Sequence, residues 1–345
     1  MKRQLLGVAA ILLSISTYAQ DNPLWMRYCA ISPDGTTIAF TYKGDIYTVP
    51  STGGRASQIT TNPAHDTKPI WSPDGKKIAF ASDRMGSMDI FEVNKEGGIP
   101  KRLTTHSGNE TPVAYKDAGH ILFLANIMPT VEDAQFPSGQ FQQVYEVNTE
   151  GGRPALFSSM PMEDISINHT GNTLLYHDKK GYEDPWRKHH TSSITRDIWL
   201  CSLNGNRTFR KQTTFNGEDR TPVWASDDKS FYYLSEEKGS FNIFKRDIDG
   251  NTSKQITNHT KHPVRFLSAA SNGTLCYGYD GEIYTVKEGA IPQKVQISIV
   301  TDKNDKDLIR QIKRSGATEI SLSPDAKEIA FVLRGDVYVT STEYS

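Results

Sequence analysis

The sequence predicts an all-β protein, a β-propeller built from four-stranded antiparallel blades, and three observations support this fold class. A Ser-Pro-Asp turn followed by an apolar strand ending in phenylalanine recurs at residues 32–40, 72–80 and 323–331. Weaker copies end in other aromatic residues, so that successive copies are spaced 40 to 57 residues apart. Each copy is followed by a further short apolar strand. A repeat of this length made of short strands is typical of propeller blades. The weaker copies end at Phe123, Tyr176, Tyr233 and Tyr277.

Each copy predicts the same elements in the same order. The first strand ends in an apolar residue and an aromatic one, as in Ile70-Trp71. A turn follows, in which proline presets φ and glycine accepts the left-handed conformation. The second strand is apolar, as in residues 78–80, and a third strand begins a few polar residues later. The predicted third strands are residues 45–49, 89–93, 143–147, 197–200, 242–244, 282–286 and 336–339.

A fourth strand completes each predicted blade and pairs with the third through a hairpin. A Gly-Gly turn precedes it in three copies, at residues 53–54, 97–98 and 151–152. Because a single blade cannot bury both of its faces, the blades must stack into a ring. The predicted fourth strands are residues 58–60, 102–104, 211–213 and 255–257.

The copies also predict the domain organisation. Residues 21–300 contain six complete copies and predict a six-bladed ring. Residues 301–314 are rich in Asp, Asn, Lys and Arg and predict a linker. Residues 315–345 then predict the first strands of a second, truncated propeller. A seven-bladed ring that uses this last copy is the alternative, and the polar linker argues against it.

Residues 1–20 predict a signal peptide. Lys2 and Arg3 form its charged start, residues 5–15 its apolar middle, and residues 17–19 (Thr-Tyr-Ala) a cleavage signal. The apolar run is short for a membrane span, so we expect an exported, periplasmic protein without membrane insertion after leader removal. A retained membrane anchor is the alternative. The net charge of −1 gives no indication of a nucleic-acid partner.

The sequence contains no recognisable catalytic motif. It lacks the G-x-S-x-G, H-E-x-x-H, P-loop and C-x-x-C signatures, so we predict no catalytic residue, no metal site and no cofactor. Cys29, Cys201 and Cys276 are either three buried hydrophobic residues or one disulfide and a free thiol. The recurring aspartates are interpreted as turn residues, and the recurring aromatic residues as packing between sheets. These aromatic residues are Tyr47, Trp71, Phe91, Tyr145, Trp199, Trp224, Phe244 and Tyr284.

Two stretches interrupt the repeat, residues 128–142 and residues 181–196. Both fall between the second and third strands of their copies, so we expect them on the same side of the ring, where loops carry function. The second stretch contains a dense basic cluster beside a tryptophan, and we interpret it as a contact surface for a substrate or partner. A solvated loop is the alternative. The candidate residues are Trp186, Arg187, Lys188, His189 and His190.

Several segments resemble the exported bacterial members of the tricorn-type serine proteases, and the resemblance covers nearly all of the chain after the leader. The Ser-Pro-Asp-Gly turn is unspecific, because Tol-like, WD40-like and prolyl-oligopeptidase propellers share this kind of repeat. The opening segment, and the linker followed by a new repeat, are more specific. The matching segments are residues 22–28 (Asn-Pro-Leu-Trp-Met-Arg-Tyr), 30–35, 42–47, 82–84 and 316–325.

This resemblance implies a six-bladed propeller, a seven-bladed propeller, a PDZ-like module and a serine-protease core, in that order. It implies that the propellers act as channels or filters for peptides. The catalytic serine and its partners belong to the C-terminal part of such proteins, so no catalytic residue carries over to this sequence. In an archaeal relative an arginine pair of the first propeller anchors peptide C-termini, and Arg187-Lys188 is its analogue here by charge alone.

We therefore expect the N-terminal β-propeller region of a periplasmic tricorn-like serine peptidase, which gates or selects peptides for a proteolytic core. The expected partners are peptides or unfolded polypeptide, C-terminal protease domains of the same protein, and further copies in a homo-oligomer. The alternative is a stand-alone Tol-like propeller that acts as a protein-binding module in the cell envelope. A third reading is the filter propeller of a prolyl-oligopeptidase-type hydrolase.

Overall fold

The computed structural model describes residues 23–127, 141–182, 191–300 and 315–343, and within these ranges all regular structure is β-strand. The strands form six four-stranded antiparallel sheets, which we call blades 1 to 6 in chain order, one three-stranded sheet and one two-stranded sheet. The predicted all-β fold of four-stranded antiparallel blades is confirmed.

The first three blades follow the predicted order of elements. Blade 1 contains β1 (Arg27–Ile31), β2 (Thr37–Tyr42), β3 (Asp45–Pro50) and β5 (Ser57–Gln58), and β4 (Gly54–Arg55) lies between its last two strands in sequence. Blade 2 contains β6 (Asp66–Trp71), β7 (Lys77–Ser82), β8 (Asp89–Asn94) and β9 (Lys101–Arg102). Blade 3 contains β10 (Thr111–Asp117), β11 (His120–Ala125), β12 (Gln143–Asn148) and β13 (Ala155–Ser158).

The next three blades repeat the same order. Blade 4 contains β14 (Met162–Ile167), β15 (Thr173–Asp178), β16 (Ile198–Ser202) and β17 (Thr208–Lys211). Blade 5 contains β18 (Asp219–Trp224), β19 (Ser230–Ser235), β20 (Asn242–Asp247) and β21 (Ser253–Gln255). Blade 6 contains β22 (Arg265–Ala269), β23 (Leu275–Tyr279), β24 (Glu282–Val286) and β25 (Gln293–Lys294).

The first strands of the blades form the inside of a ring. Each first strand contacts the first strand of the next blade, and β1 of blade 1 contacts β22 and β23 of blade 6. The chain after blade 6 forms β26 (Ile297–Ser298), which pairs in parallel with β4. Gly53 permits this approach: its φ is +92°, and a Cβ there would lie 2.6 Å from the carbonyl oxygen of Gln296. The two ends of the ring are therefore held together by packing and by a short strand pair.

Side chains within the repeat fix each turn. The Ser72 hydroxyl donates to Asp74 Oδ1 at 2.7 Å and accepts from the Lys77 amide at 2.9 Å. The hydroxyl of Ser72 also holds the pKa of Asp74 below its usual value. Equivalent serine–aspartate bonds occur in the turns that begin at Ser32 and Ser323. This geometry supports the interpretation of the repeated aspartates as turn residues.

A threonine after the fourth strand explains why the fourth strands end earlier than predicted. The Thr60 hydroxyl accepts a hydrogen bond from the Ile46 amide at 2.9 Å, and the Ile59 amide donates to the Ile46 carbonyl at 2.8 Å. The chain beyond Gln58 is therefore bound to this one residue of the third strand and not by a longer strand ladder. The same bond recurs in three other blades at 2.9 to 3.0 Å. These donor–acceptor pairs are Ile90 with Thr104, Ile198 with Thr213, and Ile243 with Thr257.

The repeated aromatic residues form pairs within their own blades as well as contacts between blades. Phe80 of the second strand lies opposite Phe91 of the third, with ring centroids 6.1 Å apart. Both rings also join a buried cluster with Ile46 of blade 1. Trp71 adds a polar link, because its indole N–H donates to the Ala30 carbonyl of blade 1 at 2.8 Å. The packing between sheets that the sequence predicted is present, and the cross-strand pairing adds to it.

A three-stranded sheet lies in residues 315–343 and repeats the strand order of the blades, and its assignment to a second propeller stays a prediction. It contains β27 (Ala317–Leu322), β28 (Glu328–Leu333) and β29 (Asp336–Ser341). Its side chains are largely exposed, among them Ile320 at 71% and Val339 at 61%. Arg334 in its second turn lies 2.6 Å from the Asp83 carboxylate of blade 2.

The cysteines are buried and free. Cys29 and Cys276 share one core cluster at the junction of blades 1 and 6, whereas Cys201 belongs to another. Across the described ranges there is no helix with the length and apolarity needed to cross a membrane. The predicted leader (1–20) and linker (301–314) lie outside the described residues, so both stay predictions.

Candidate functional site: the central channel

The first strands of all six blades line one cavity of about 490 Å³ at the centre of the ring. This position follows from the fold, because the innermost strands of a propeller surround its axis. Each first strand departs from regular pairing with the second strand of its blade at an equivalent position, where a β-bulge shifts the register. Bulges re-aim side chains, and here one residue per blade lines the cavity at its bulge.

We call these six bulge residues the collar. Five of them stand four residues before the first residue of the turn and have positive φ values between 48° and 57°. The exception is a proline, whose ring restricts φ to negative values. The collar consists of Tyr28, Lys68, Pro112, Asp164, Thr221 and Phe266.

The positive φ values indicate a strained backbone at the collar. Residues with a Cβ rarely adopt the left-handed region, and bulky residues do so least often. Such conformations cost roughly 1–3 kcal/mol each and persist where the surrounding structure enforces them, often at ligand sites. The collar is therefore a candidate binding site by its backbone geometry as well as by its position.

One half of the collar is aromatic and cationic. The rings of Tyr28 and Phe266 lie 4.8 Å apart between centroids with an interplanar angle of 54°. Lys68 extends its ammonium group over the Tyr28 ring at 5.7 Å from the centroid. All three side chains are half-buried. This half, formed by blades 6, 1 and 2, offers ring surface beside a positive charge.

The other half of the collar is polar and acidic. The Thr221 hydroxyl donates to Asp164 Oδ2 at 2.6 Å. The buried His177 accepts a hydrogen bond from the Thr221 amide at Nδ1, over 3.3 Å. Its Nε2 lies 3.2 Å from Glu163 Oε2. This pattern places the imidazole proton on Nε2. Asp164 keeps a side chain that is 47% exposed, so a carboxylate faces the channel.

A network of ion pairs supports the polar half from behind. Lys179 lies 2.7 Å from Glu163 and the Arg196 Nε lies 3.5 Å from the same carboxylate. Burial acts to raise the pKa of Glu163, but contacts with His177 and Lys179 outweigh it and hold that pKa well below its usual range. Glu218 joins the network as the partner of Arg196. The wall behind Asp164 is therefore charged and fixed in position.

The site residues that the sequence predicted are not in the described structure. Trp186, Arg187, Lys188, His189 and His190 all lie in the undescribed range 183–190, so their role stays a prediction. Most of the other interrupting stretch, residues 128–140, also lies outside the described residues. Within the described ranges no group of three or more His, Cys, Asp or Glu side chains is arranged to hold a metal ion.

Reasoning from the sequence missed the collar. Its members share no side-chain type, and a bulge cannot be identified from residue type alone. The available signal was positional, because five of the six collar residues stand four places before the turn. Aligning the copies on their turns would have placed these five residues at one level of the ring.

Comparison with known proteins gives a consistent result. Residues 23–290 match the family model described as the tricorn protease N-terminal beta propeller domain. Tricorn protease homolog 1 of Streptomyces coelicolor is 26% identical over 80% of this chain and 25% of its own length. Tricorn protease of Thermoplasma acidophilum is 25% identical over 92% of this chain and 29% of its own. This chain thus spans between a quarter and a third of the length of these two relatives.

The solved structures agree on the fold. The crystal structure of the tricorn protease superposes with a TM-score of 0.68 at 22% identity, covering 92% of this chain and 30% of that one. The crystal structure of puromycin hydrolase gives a TM-score of 0.52 at 12% identity, over 89% of this chain and 49% of that one. Because the family model covers most of the chain, the resemblance is confirmed, and the chain belongs to the family of tricorn protease N-terminal β-propeller domains.

Proposed function

We propose that this chain is the N-terminal propeller region of a periplasmic tricorn-like serine peptidase, and that its central channel gates or selects peptides for a C-terminal proteolytic core. The family membership supports the first part of the proposal. The collar supports the second part and is the observation that carries it. It places a side chain from each blade on the wall of the cavity at the centre of the ring.

The channel geometry favours an extended chain as the ligand. Its wall consists of the first strands, which are the inner edge strands of their blades, so part of their backbone N–H and C=O groups lies outside the strand ladders. Recognition of an extended chain falls to these groups and to the collar side chains. A cavity of about 490 Å³ is within the size range of sites for small ligands and excludes a folded domain. An unfolded segment, by contrast, can present one residue at a time to the collar.

The test is binding of a fluorescent, unstructured peptide to the purified chain, measured by anisotropy. Lys68→Trp adds an indole to the collar and should weaken binding at least about tenfold. Lys76→Trp is the matched control, because it removes the same charge and adds the same side chain in a turn of the same blade, where Lys76 is 78% exposed. Equal binding by both variants would contradict the channel as the peptide site.

A second experiment addresses the proteolytic core. An antibody against the propeller should detect, in the source cells, a native species several times larger than this chain. A native species of this length would instead favour a stand-alone binding module of the envelope. Hydrolysis of unstructured peptides by the purified chain, abolished by a serine-directed inhibitor, would also contradict the proposal.

A further inference from the structure

We propose that the aromatic half of the collar selects peptides by binding an aromatic or large apolar side chain against Tyr28 and Phe266, beside the Lys68 ammonium group. This inference rests on the proposed function and deepens it, since it names the class of peptide that the channel prefers. Three observations carry it: the backbone strain at these residues, the arrangement of the two rings, and the charge beside them.

The first observation is that five blades have a left-handed residue at the collar, and three of these residues carry no ring. Asp164 and Thr221 occupy the same position of the repeat at φ values of 48° and 51°. Tyr28 and Phe266 adopt the same conformation at 51° and 57°, although asparagine or glycine would adopt it at lower cost. Two rings at strained positions are therefore explained better by an interaction of the rings than by backbone geometry.

The second observation is the arrangement of these rings. They are tilted by 54° with centroids 4.8 Å apart, and both line the channel while half-buried. Tilted aromatic pairs leave ring faces and edges available to a third ring, and such contacts are favourable beyond simple area burial. Phe266 is anchored from behind by the core cluster that contains Cys29 and Ile283, so the pair is a rigid surface.

The third observation is the positive charge at the edge of this surface. The Lys68 ammonium group lies over the Tyr28 ring, and within the described residues no carboxylate lies in salt-bridge distance of it. A cationic side chain next to the bound ring would be repelled, whereas a neutral or acidic neighbour would not. The geometry thus predicts a preference for apolar residues in uncharged or acidic sequence.

The experiment compares short unstructured peptides of glycine and serine that differ only in one central residue: Phe, Leu, Ala or Lys. With the purified 345-residue chain, the Phe peptide should bind about tenfold more tightly than the Ala peptide. The Leu peptide should fall between them, and the Lys peptide should bind no better than the Ala peptide. Replacing the residues beside Phe by lysine should weaken binding, and Lys68→Gln should remove that penalty.

Two variants separate recognition from folding. Tyr28→Asn removes the ring and introduces a residue that tolerates the left-handed conformation, so the midpoint of thermal unfolding should stay the same or rise. The ratio between the affinities for the Phe and Ala peptides should fall to about one. Thr221→Asn is the matched control: it makes the same replacement at the same collar position on the opposite wall. Because Thr221 is itself a collar residue, this variant changes the overall affinity, but the ratio between the affinities for the Phe and Ala peptides should stay as in the wild type.

The outcomes are distinct. A Phe-to-Ala preference that Tyr28→Asn abolishes and Thr221→Asn retains supports the inference. Equal binding of all four peptides overturns the inference but leaves the channel as a peptide site. A preference that survives Tyr28→Asn also overturns it. If no peptide binds to the folded wild-type chain, the proposed function fails, and the inference fails with it.

Discussion

Blade 2 and the three-stranded sheet at residues 315–343 share nearly the same sequence in the turn and second strand, at residues 72–80 and 323–331. Their side chains nevertheless differ in burial. Both have the Ser-Pro-Asp turn, with serine–aspartate hydrogen bonds of 2.7 and 2.6 Å. Both have a cross-strand aromatic pair, with centroids 6.1 Å apart for Phe80 and Phe91 and 5.5 Å for Phe331 and Tyr338. Yet Phe80 is fully buried, whereas Tyr338 is 45% exposed.

The difference shows which properties the repeat encodes by itself. The turn and the pairing of strands depend on residues within one copy, so they form in both places. Burial depends on the adjacent blades, which cover both faces of blade 2. The ring therefore supplies the hydrophobic stabilisation, and the repeat supplies the units that the ring brings together.

Equivalent core substitutions should show the largest contrast between the two sheets. Phe80→Ala should lower the free energy of unfolding of the ring by about 3–5 kcal/mol, because a buried ring is lost and a cavity remains. Phe331→Ala should change that quantity by less than about 0.5 kcal/mol, since the affected sheet contributes little to the ring. Denaturant titrations of both variants measure this. Losses of similar size would mean that the last sheet shares the core of the ring.

Hydrogen exchange should separate the same sheets without any substitution. Amides of β28 should exchange at least about a hundredfold faster than those of β7, because sheets with few buried contacts open locally at low free-energy cost. In the described residues, β29 has no fourth strand on its outer edge, which favours opening further. Equal protection of the two strands would contradict the boundary between the ring and the last sheet.

Most of the fold could be predicted from the sequence, because the repeat encodes it locally. The predicted third strand at residues 89–93, for example, corresponds to β8. The fourth strands were displaced, since the chain after them is bound to a single third-strand residue, as Leu103 and Thr104 are to Ile90, in place of a longer ladder. The fourth strands of blades 3 and 6, β13 and β25, were predicted as elements of the blade but without residue bounds.

The candidate site could not be predicted to the same extent. The sequence drew attention to irregular loops, because departures from a repeat often carry function. The collar lies within strands that belong to the repeat itself, and Lys68 or Phe266 is unremarkable as a residue in a strand pattern. Its special feature is a register shift with positive φ, which depends on three-dimensional pairing.

The last contrast, which has the smallest expected effect on stability, concerns buried carboxyl groups where neighbouring blades meet. Glu110 is fully buried beside Asp89, and burial, assisted by the Asp89 charge, raises the pKa of Glu110 to about 7. Asp219 is buried at the junction of blades 4 and 5, and burial raises its pKa to about 7 as well. In the last sheet Asp336, at the start of the third strand like Asp89, is exposed.

The sign of the pH dependence follows from these shifts. A carboxyl group whose pKa is higher in the folded chain binds its proton more tightly there, so it favours folding at low pH. That contribution is complete below the unfolded pKa of about 4 and is lost as pH rises to about 7. Glu110 should therefore reduce the stability of the ring by about 2 kcal/mol between pH 5 and pH 8. Denaturant titrations at the two values measure it.

Glu110→Gln identifies the group responsible, because the amide keeps the shape of the protonated acid and cannot ionise. The variant should lose about a third of the decrease between pH 5 and pH 8, because burial raises the pKa values of Asp219 and Asp45 to about 7 as well. Glu328→Gln makes the same change at an exposed position of the last sheet and should leave the decrease intact. If Glu328→Gln flattened the pH profile as much as Glu110→Gln, the dependence would arise from general surface charge. The junctions between packed blades would then differ from the exposed sheet in burial alone, and not in the protonation of their carboxyl groups.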